Sequence, residues 1–379
     1  MALPSFKFSR PRTVDEAVAF LAEHSVDGRG DRKAGAPLRP AKNRGGVEII
    51  AGGTDLIPSM RQRLFEPEYV LDIRGIRELR GIRELPGGEV EIGALTTLSE
   101  IGHSPLIRER YAVLAEAART VASPVIRNMA TIGGNICLDT RCVWYNQSLQ
   151  WRRSCGFCIK KDGDLCHVAP GGQKCWAAFS ADTPPALLCL EAEVEVVAAF
   201  VAHPERSEGA LPDQGRMGSV GFPHFVRDVK HSYVRNTRKL ADFYTNEGDA
   251  RMNLGRNEIL TRVILPARTA NWRGAYRKLR IRGSIDYPLA GVAVALQKNG
   301  HVQQAHIAIT GVNPAPMLIK PDKLDALLRG KSLADDLAAQ AADLAAQTAK
   351  PLTTSALTPE YRREMVRVFT KRALLSLAQ

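Results

Sequence analysis

Hydrophobic positions along this chain recur with a helical period in some segments and with a strand period in others. Residues 13–24 have the helical period, and Thr13 and Glu16 stand at the spacing of a capping box at the helix start. The face predicted to be buried consists of Val14, Ala17, Val18 and Leu21. The same period predicts further helices at residues 111–121, 334–349 and 359–378. A second capping box is predicted at Thr97 and Glu100.

Short runs of strand-forming residues, which alternate between hydrophobic and polar at 191–197, predict the strands. They lie at residues 47–50, 69–73, 89–95, 191–197 and 258–266. Residues 291–311 predict a hairpin with Asn299-Gly300 at its turn, a pair that favours type I′ geometry. The pattern changes character after the middle of the chain, so we predict an α+β protein with two domains, 1–235 and 236–379.

Composition is that of a soluble globular protein, with 45% hydrophobic and 24% charged residues among 379. No apolar run is long enough for a membrane span, and the first residues lack an apolar signal core. We therefore expect a cytoplasmic protein with reduced cysteines and no membrane partner. The net charge of +12 is concentrated in two Gly- and Pro-rich stretches, 27–45 and 202–239, which we interpret as surface insertions. Nucleic-acid binding is not expected, because basic and aromatic residues are not interleaved.

Two glycine pairs follow β-rich segments, in "IIAGGTDL" (49–56) and "ATIGGNI" (130–136). Glycine lets the backbone approach a ligand closely, and successive N–H groups bind phosphate oxygens. Neither stretch is a G-x-G-x-x-G or a Walker A motif, so Rossmann and P-loop chemistry are not indicated. One such turn alone is usually only a turn, whereas two in one domain favour a shared ligand that carries a pyrophosphate.

Six of the seven cysteines fall between Cys137 and Cys175. A reducing compartment disfavours disulfides and leaves a zinc site or an iron–sulfur site as alternatives. Thiolate spacing alone does not separate these two metals. The C-x-x-C pair Cys155 and Cys158, with Cys166 and Cys175, is one candidate quartet.

The two glycine stretches and Asp182 in "SADTPPALL" resemble the FAD-binding medium subunits of the xanthine dehydrogenase and carbon monoxide dehydrogenase family. The likeness continues in "LADFYT", "EILTRVILP", "YRKLRIRGSIDYPLAGVAVAL" and "YRREMVRVFTKRAL", in the family's order and over nearly the whole chain. It implies a two-subdomain FAD-binding domain of the vanillyl-alcohol oxidase type, with its N-terminal subdomain at about 1–57. A C-terminal α+β domain of the carbon monoxide dehydrogenase flavoprotein type follows.

The resemblance also implies which residues bind FAD. The pyrophosphate loop falls on Ile49, Ile50, Ala51, Gly52, Gly53, Thr54, Asp55 and Leu56. Thr131, Gly134 and Asn135 match the second FAD loop. Asp182 matches an aspartate that holds hydroxyls of the ribose or the ribityl chain, and Lys278 matches a lysine near the flavin ring. The alternative for Lys278 is a solvated strand residue, which the sequence favours equally, and the less favoured alternative for Asp182 is a helix cap.

Residues 137–180 form an insertion relative to ordinary members of that family. One branch, the 4-hydroxybenzoyl-CoA reductase type, resembles this chain and carries a [4Fe–4S] cluster in such an insertion. Its spacing C-x15-C-x7-C-x8-C selects Cys142, Cys158, Cys166 and Cys175 as ligands. Cys155 then becomes a spare, Cys189 a buried strand residue, and His167 a neighbour of the cluster. Basic residues around the cluster could offset its charge: Arg152, Arg153, Lys160, Lys161 and Lys174.

By this resemblance the chain is an electron-transfer subunit with no catalytic residue of its own. Its partners would be a molybdopterin-containing large subunit and a small subunit with two [2Fe–2S] clusters, in a dimer of heterotrimers. Electrons would pass from reduced ferredoxin through [4Fe–4S] and FAD to molybdenum, and an exposed basic face at Lys160 and Lys161 would suit ferredoxin. Two alternatives stay open: an FAD subunit of another molybdenum hydroxylase that uses NAD or a quinone, and a zinc-stabilised basic binding module.

Overall fold

The computed structural model describes residues 2–25, 46–201 and 231–378. The predicted insertion 27–45 lies outside the described residues, as do residues 202–230 of the second insertion. The described remainder of that second insertion is regular, because His231–Lys239 form a strand. Within these ranges no helix combines the length and the apolar character that crossing a bilayer requires.

Twelve strands and twelve α-helices make up the described chain. The strands are β1 Lys7–Ser9, β2 Val47–Ile50, β3 Tyr69–Asp72, β4 Ile82–Glu84, β5 Val90–Gly93, β6 Glu193–Val201, β7 His231–Lys239, β8 Glu258–Leu265, β9 Arg273–Leu279, β10 Ala290–Asn299, β11 His301–Thr310 and β12 Met317–Leu318. The helices are α1 Val14–His24, α2 Leu56–Arg61, α3 Leu98–His103, α4 Pro105–Arg110, α5 Ala112–Thr120, α6 Pro124–Arg127, α7 Ile132–Ile136, α8 Leu149–Ser154, α9 Thr183–Cys189, α10 Pro321–Leu328, α11 Asp335–Thr348 and α12 Pro359–Ser376. This content confirms the α+β prediction.

A small parallel sheet, in the order β1-β3-β2, forms the N-terminal part of the fold. Helix α1 begins at the predicted cap, since the Thr13 hydroxyl accepts the Glu16 N–H at 3.1 Å. The predicted capping box is incomplete, because the Glu16 carboxylate accepts the Arg12 N–H at 2.7 Å instead of that of Thr13. Its buried face is the predicted one: Val14, Ala17, Val18 and Leu21. The sheet includes β3, so this subdomain extends beyond the predicted limit near residue 57.

A five-stranded antiparallel sheet follows, in the order β4-β5-β8-β6-β7. Helices α3, α5 and α9 share one apolar core with it. The capping box at Thr97 and Glu100 is complete and starts α3. The domain boundary predicted near residue 235 falls inside β7, which pairs with β6 along its length. Because β8 also joins this sheet, the sheet continues to Leu265, well past the predicted boundary.

The C-terminal sheet is antiparallel, in the order β12-β11-β10-β9, and its core includes α10, α11 and α12. The β10–β11 hairpin lies where it was predicted, but its turn differs. Only Gly300 of the Asn299-Gly300 pair has a positive φ, of 69°. A type I′ turn needs positive φ at both central residues, and here Asn299 pairs with His301 across a single glycine.

Arg362 of α12 joins three segments of the C-terminal domain. Its guanidinium is buried and donates to the carbonyl oxygens of Leu289 at 2.9 Å, Leu352 at 2.8 Å and Gly311 at 2.5 Å. Burial lowers the pKa of this guanidinium to about 10. The planar fork matches three carbonyls at once, which a lysine ammonium cannot do in the same geometry.

We expect Arg362→Met to destabilise the chain by about 3 kcal/mol, because buried carbonyl oxygens lose their donors. The denaturation midpoint of the purified chain, followed by circular dichroism, measures this loss. The control is Arg367→Met on the same helix, where a half-exposed guanidinium pairs with Asp343 at 2.9 Å. Surface pairs of that kind contribute at most about 1 kcal/mol. Equal effects of the two substitutions would contradict the role given to Arg362.

Candidate functional site

The two predicted FAD loops lie against each other. The first leads from β2 into α2 and turns at Gly53, which has a φ of 73°. Its neighbour Gly52 faces the segment before the second loop, where a Cβ atom would stand 1.9 Å from the Met129 carbonyl oxygen. Only glycine permits this approach of two backbones. The sequence predicted both loops, and the structure brings them together.

The side chain of Asp55 closes the end of the first loop. It occupies the N-cap position of α2 but makes no capping bond there. Instead its carboxylate accepts from Arg141 and from the Tyr287 hydroxyl, the latter at 3.0 Å. The Arg141 guanidinium also donates to Tyr287 at 3.0 Å and lies 4.5 Å from the centre of its ring. Sequence reasoning missed Arg141 and Tyr287, since nothing local connects three positions so far apart in the chain.

The second glycine pair lies in the short helix α7, where the sequence had predicted a turn. Thr131 is the N-cap of α7, and its hydroxyl accepts the Gly134 N–H at 3.2 Å. Gly133 is the tightly packed glycine, because a Cβ there would stand 2.9 Å from Ala94.

Asn135 connects this loop to the segment that contains Asp182. Its side-chain oxygen accepts from Thr183 twice, from the N–H at 3.1 Å and from the hydroxyl at 2.6 Å. Of the positions matched to the second FAD loop, Thr131 and Asn135 therefore have defined structural partners. Contact with FAD remains a prediction for all three.

Asp182 and Lys278 form a buried ion pair, with 2.9 Å between carboxylate and ammonium. Tyr276 donates its hydroxyl to the other carboxylate oxygen at 2.8 Å, and Lys278 also donates to the Thr120 carbonyl at 3.1 Å. Burial raises the pKa of Asp182, while the Lys278 charge opposes that rise. Asp182 precedes α9 but makes no side-chain cap bond, which removes the simple explanation that it caps this helix.

Glycine at position 291 makes room for the Tyr276 hydroxyl, because a Cβ there would stand 2.4 Å from it. Lys278 is buried, which differs from a solvated strand residue. Tyr276 was not predicted as a site residue. Its position two residues before Lys278 on β9 puts both side chains on the same face of the strand, a signal that period-two reasoning could have used.

Four buried cysteines line one cavity formed by residues 142–145 and 158–177, the segments before and after α8. They are Cys142, Cys158, Cys166 and Cys175, the set selected by the family spacing. Cys155 ends α8, is half-buried and does not line the cavity. Cys189 is buried as expected, but it ends helix α9 and does not lie in a strand. None of the seven cysteines forms a disulfide.

The surroundings of these sulfurs suit thiolate ligands. Burial disfavours the thiolates of Cys142 and Cys175, whereas the backbone N–H groups of Trp144 and Tyr145 lower the pKa of Cys142 and that of Ala177 lowers the pKa of Cys175. Burial raises the pKa of Cys142 to about 11 and that of Cys175 to about 12, so both are neutral thiols unless a metal binds. Gly248 packs against Cys175, where a Cβ would stand 2.7 Å from the sulfur. The donor set fits a soft metal group.

Across the described ranges, no group of three or more His, Cys, Asp or Glu side chains is placed to hold a metal ion. The space between the four thiols is small, about 20 Å³. A [4Fe–4S] group bonds each cysteine to a different iron, so its ligands stand further apart than those of a single ion.

His167 lines the same cavity but has other partners. Its ring stacks on Trp144 with 4.5 Å between centres, and its Nε2 lies 2.5 Å from the Phe157 carbonyl oxygen. Trp144 in turn contacts Trp151, with 5.5 Å between ring centres. These contacts agree with the expectation that His167 is a neighbour of the sulfurs and not a ligand.

The expected exposed basic face at Lys160 and Lys161 is corrected by the structure. The Lys160 side chain is only 5% exposed and pairs with Asp139 at 2.8 Å. Lys161 is largely covered and lies 3.7 Å from Asp162. Arg152 is buried too and donates to the carbonyls of residues 62 and 63. The long apolar stems of lysine and arginine allow such burial, which charge counting along a sequence does not reveal.

Comparison with known proteins places this fold and site in context. Residues 4–200 match the family model described as FAD binding domain in molybdopterin dehydrogenase. Residues 274–377 match the model described as CO dehydrogenase flavoprotein C-terminal domain. The first match covers more than half of the chain.

Individual relatives agree with these two models. The chain is 28% identical to the carbon monoxide dehydrogenase medium chain of Hydrogenophaga pseudoflava, over 99% of this chain and 97% of that one. It is 28% identical to the aldehyde oxidoreductase FAD-binding subunit of Escherichia coli, over 81% of this chain and 87% of that one. Its fold is similar to the carbon monoxide dehydrogenase structure from Oligotropha carboxidovorans, with a TM-score of 0.69 and 25% identity over 100% of this chain and 99% of that one.

Proposed function

The chain belongs to the FAD-binding medium subunits of the molybdenum hydroxylase family, and we propose that it serves a reductase of the 4-hydroxybenzoyl-CoA type. In this assignment it carries FAD and one [4Fe–4S] cluster and passes electrons towards molybdenum. One observation supports the finer assignment most. Four buried cysteines, all within the insertion 137–180, line a single cavity at the family branch's spacing.

We assign FAD to the two glycine loops and the buried carboxylate beside them. Backbone N–H groups at Gly52, Gly53 and the start of α7 would bind the pyrophosphate. Asp182 would accept from sugar or ribityl hydroxyls, and Lys278 would supply positive charge near the flavin. In the structure these two side chains pair with each other, so the hydroxyls would compete with Lys278 and Tyr276 for the carboxylate oxygens.

We assign the cluster to Cys142, Cys158, Cys166 and Cys175. Bound FAD and a bound iron–sulfur cluster can each transfer single electrons, which links a one-electron donor to a two-electron reaction. This chain's residues would contribute ligation, exclusion of water and, from the backbone N–H groups of residues 144, 145 and 177, partial positive charge that favours thiolate at two of the sulfurs. Backbone dipoles near the ligands and the burial of the sulfurs are the usual means by which proteins adjust cluster potentials.

Medium subunits of this family work with a molybdenum-containing large subunit and a [2Fe–2S] small subunit. We propose a dimer of such heterotrimers in the cytoplasm, with ferredoxin as the electron donor. The substrate would bind in the large subunit. There, 4-hydroxybenzoyl-CoA would take up two electrons and two protons, lose its phenolic hydroxyl as water and become benzoyl-CoA.

A second candidate is the FAD subunit of an oxidising molybdenum hydroxylase for carbon monoxide, an aldehyde or a purine. The names of the relatives favour it, because they include carbon monoxide dehydrogenase and aldehyde oxidoreductase chains. It requires FAD but leaves the four-cysteine cavity without a role.

Metal and flavin analysis of the purified complex separates the two candidates. We expect about eight irons and one FAD per heterotrimer, four irons from the small subunit and four from this chain. Reduced ferredoxin should then support benzoyl-CoA formation. About four irons per heterotrimer, with oxidation of an aldehyde or of carbon monoxide, would instead establish the second candidate.

A further inference from the structure

A buried lysine lies at the wall of the four-cysteine cavity. Lys160 is among the residues that line it, and its ammonium lies 4.4 Å from the centre of the Tyr145 ring, another lining residue. The ammonium donates to Asp139 at 2.8 Å and to the carbonyl oxygens of Thr140 and Gly248, each at 3.1 Å. Its position is therefore set by two segments of the chain, residues 139–140 and Gly248.

The same contacts bind the cysteine-bearing segment to the rest of the protein. Gly248 donates its N–H to the Cys175 carbonyl at 3.0 Å and accepts from Lys160 with its own carbonyl. Asp139 is held as a carboxylate by a second cation, since Arg251 lies 3.3 Å from it. Neither Asp139 nor Arg251 lines the cavity, so within this ion-pair network Lys160 is the group that reaches the cavity wall.

We infer that Lys160 is a positioning residue that raises the reduction potential of an iron–sulfur cluster held by the four cysteines. This inference rests on the proposed function. A cluster with four thiolate ligands gains one negative charge on reduction, and a nearby buried cation stabilises that form. Burial strengthens the effect, because a charge away from water is screened much less than one at the surface.

The test is a redox titration of the purified complex, followed by electron paramagnetic resonance. Lys160→Met should move the midpoint potential of the cluster to a more negative value, by a tenfold change in the reduction equilibrium, about 59 mV for one electron. Lys160→Arg keeps the charge and should restore most of the potential. The [2Fe–2S] clusters of the small subunit should keep their potentials in every variant and serve as an internal reference.

Two further variants separate charge from structure. Asp139→Asn removes the opposing negative charge from the same network and should move the potential in the positive direction. If the network had a purely structural role, Lys160→Met and Asp139→Asn would shift the midpoint potential of the cluster in the same direction. Lys161→Met removes the same charge at the next position, where the side chain does not line the cavity, and should shift the potential much less.

The outcomes distinguish the two levels of inference. If the wild-type chain binds iron and Lys160→Met leaves the potential unchanged, the role of Lys160 is refuted while the cluster assignment stands. If the wild-type complex carries no iron beyond that of the small subunit, the cluster assignment fails, and the inference about Lys160 fails with it.

Discussion

Replacing Gly52 by alanine is expected to weaken the binding of FAD to the purified protein. A Cβ at this position would stand 1.9 Å from the Met129 carbonyl oxygen and 2.6 Å from its carbonyl carbon. Backbone atoms cannot yield as a flexible side chain can, so the two glycine loops must separate. The backbone N–H groups of the two loops could then no longer bind the same pyrophosphate. We expect FAD affinity to fall at least tenfold, a loss of about 1.4 kcal/mol or more in binding free energy.

Flavin absorbance of the purified complex and titration of the flavin-free protein with FAD measure this loss. Gly171→Ala is the matched control, because a Cβ there meets no atom within 4 Å and its φ is not positive. Iron content provides a second control, since Gly52 does not line the four-cysteine cavity. Retention of FAD at wild-type affinity in Gly52→Ala would exclude the contact between the loops as a requirement for binding.

Local signals in the sequence were sufficient for most of the secondary structure. The face of α1 and the cap at Thr97 depend on residues three or four apart, so periodicity finds them. The domain limits depend on which strands pair, and pairing is not local. The β6–β7 and β6–β8 ladders carry the second sheet past residue 235, and no change in composition marks that continuation. The glycine pair in α7 was predicted as a turn because its sequence has the same layout as the first glycine loop, whereas the structure places it in a short helix that packs Gly133 against Ala94.

For the candidate site, too, the sequence identified residues from local spacing and missed contacts between residues distant in the chain. Spacing and family resemblance identified the four cysteines that line the cavity, and also excluded Cys155. They did not identify the partners that hold the site residues in place. Arg141 meets Asp55 across 86 positions, and Tyr276 meets Asp182 across 94. The burial of Lys160 was also missed, since a lysine in a charged segment has the same sequence pattern whether its ammonium meets water or a buried carboxylate.

The two possible quartets share Cys158, Cys166 and Cys175 and differ only in whether Cys142 or Cys155 is the fourth ligand. Replacing Cys142 and Cys155 one at a time therefore tests the cluster assignment directly. Cys142 is buried in the cavity wall, while Cys155 is half-buried at the end of α8 and outside it. We expect Cys142→Ser to remove the iron bound by this chain, about four atoms, and Cys155→Ser to leave it in place. A serine hydroxyl is a harder and less acidic donor than a thiol, so it does not replace a thiolate on iron.

Iron and acid-labile sulfide per chain, with FAD measured in the same samples, provide the readout. FAD should remain in both variants, because neither residue belongs to the glycine loops. The reverse iron result, with loss in Cys155→Ser and retention in Cys142→Ser, would favour the quartet built on the C-x-x-C pair. That quartet would require Cys155 to enter the cavity from the end of α8. If the wild-type chain and both variants contain no iron beyond that of the small subunit, the cavity holds no metal and the oxidising hydroxylase that needs only FAD is favoured.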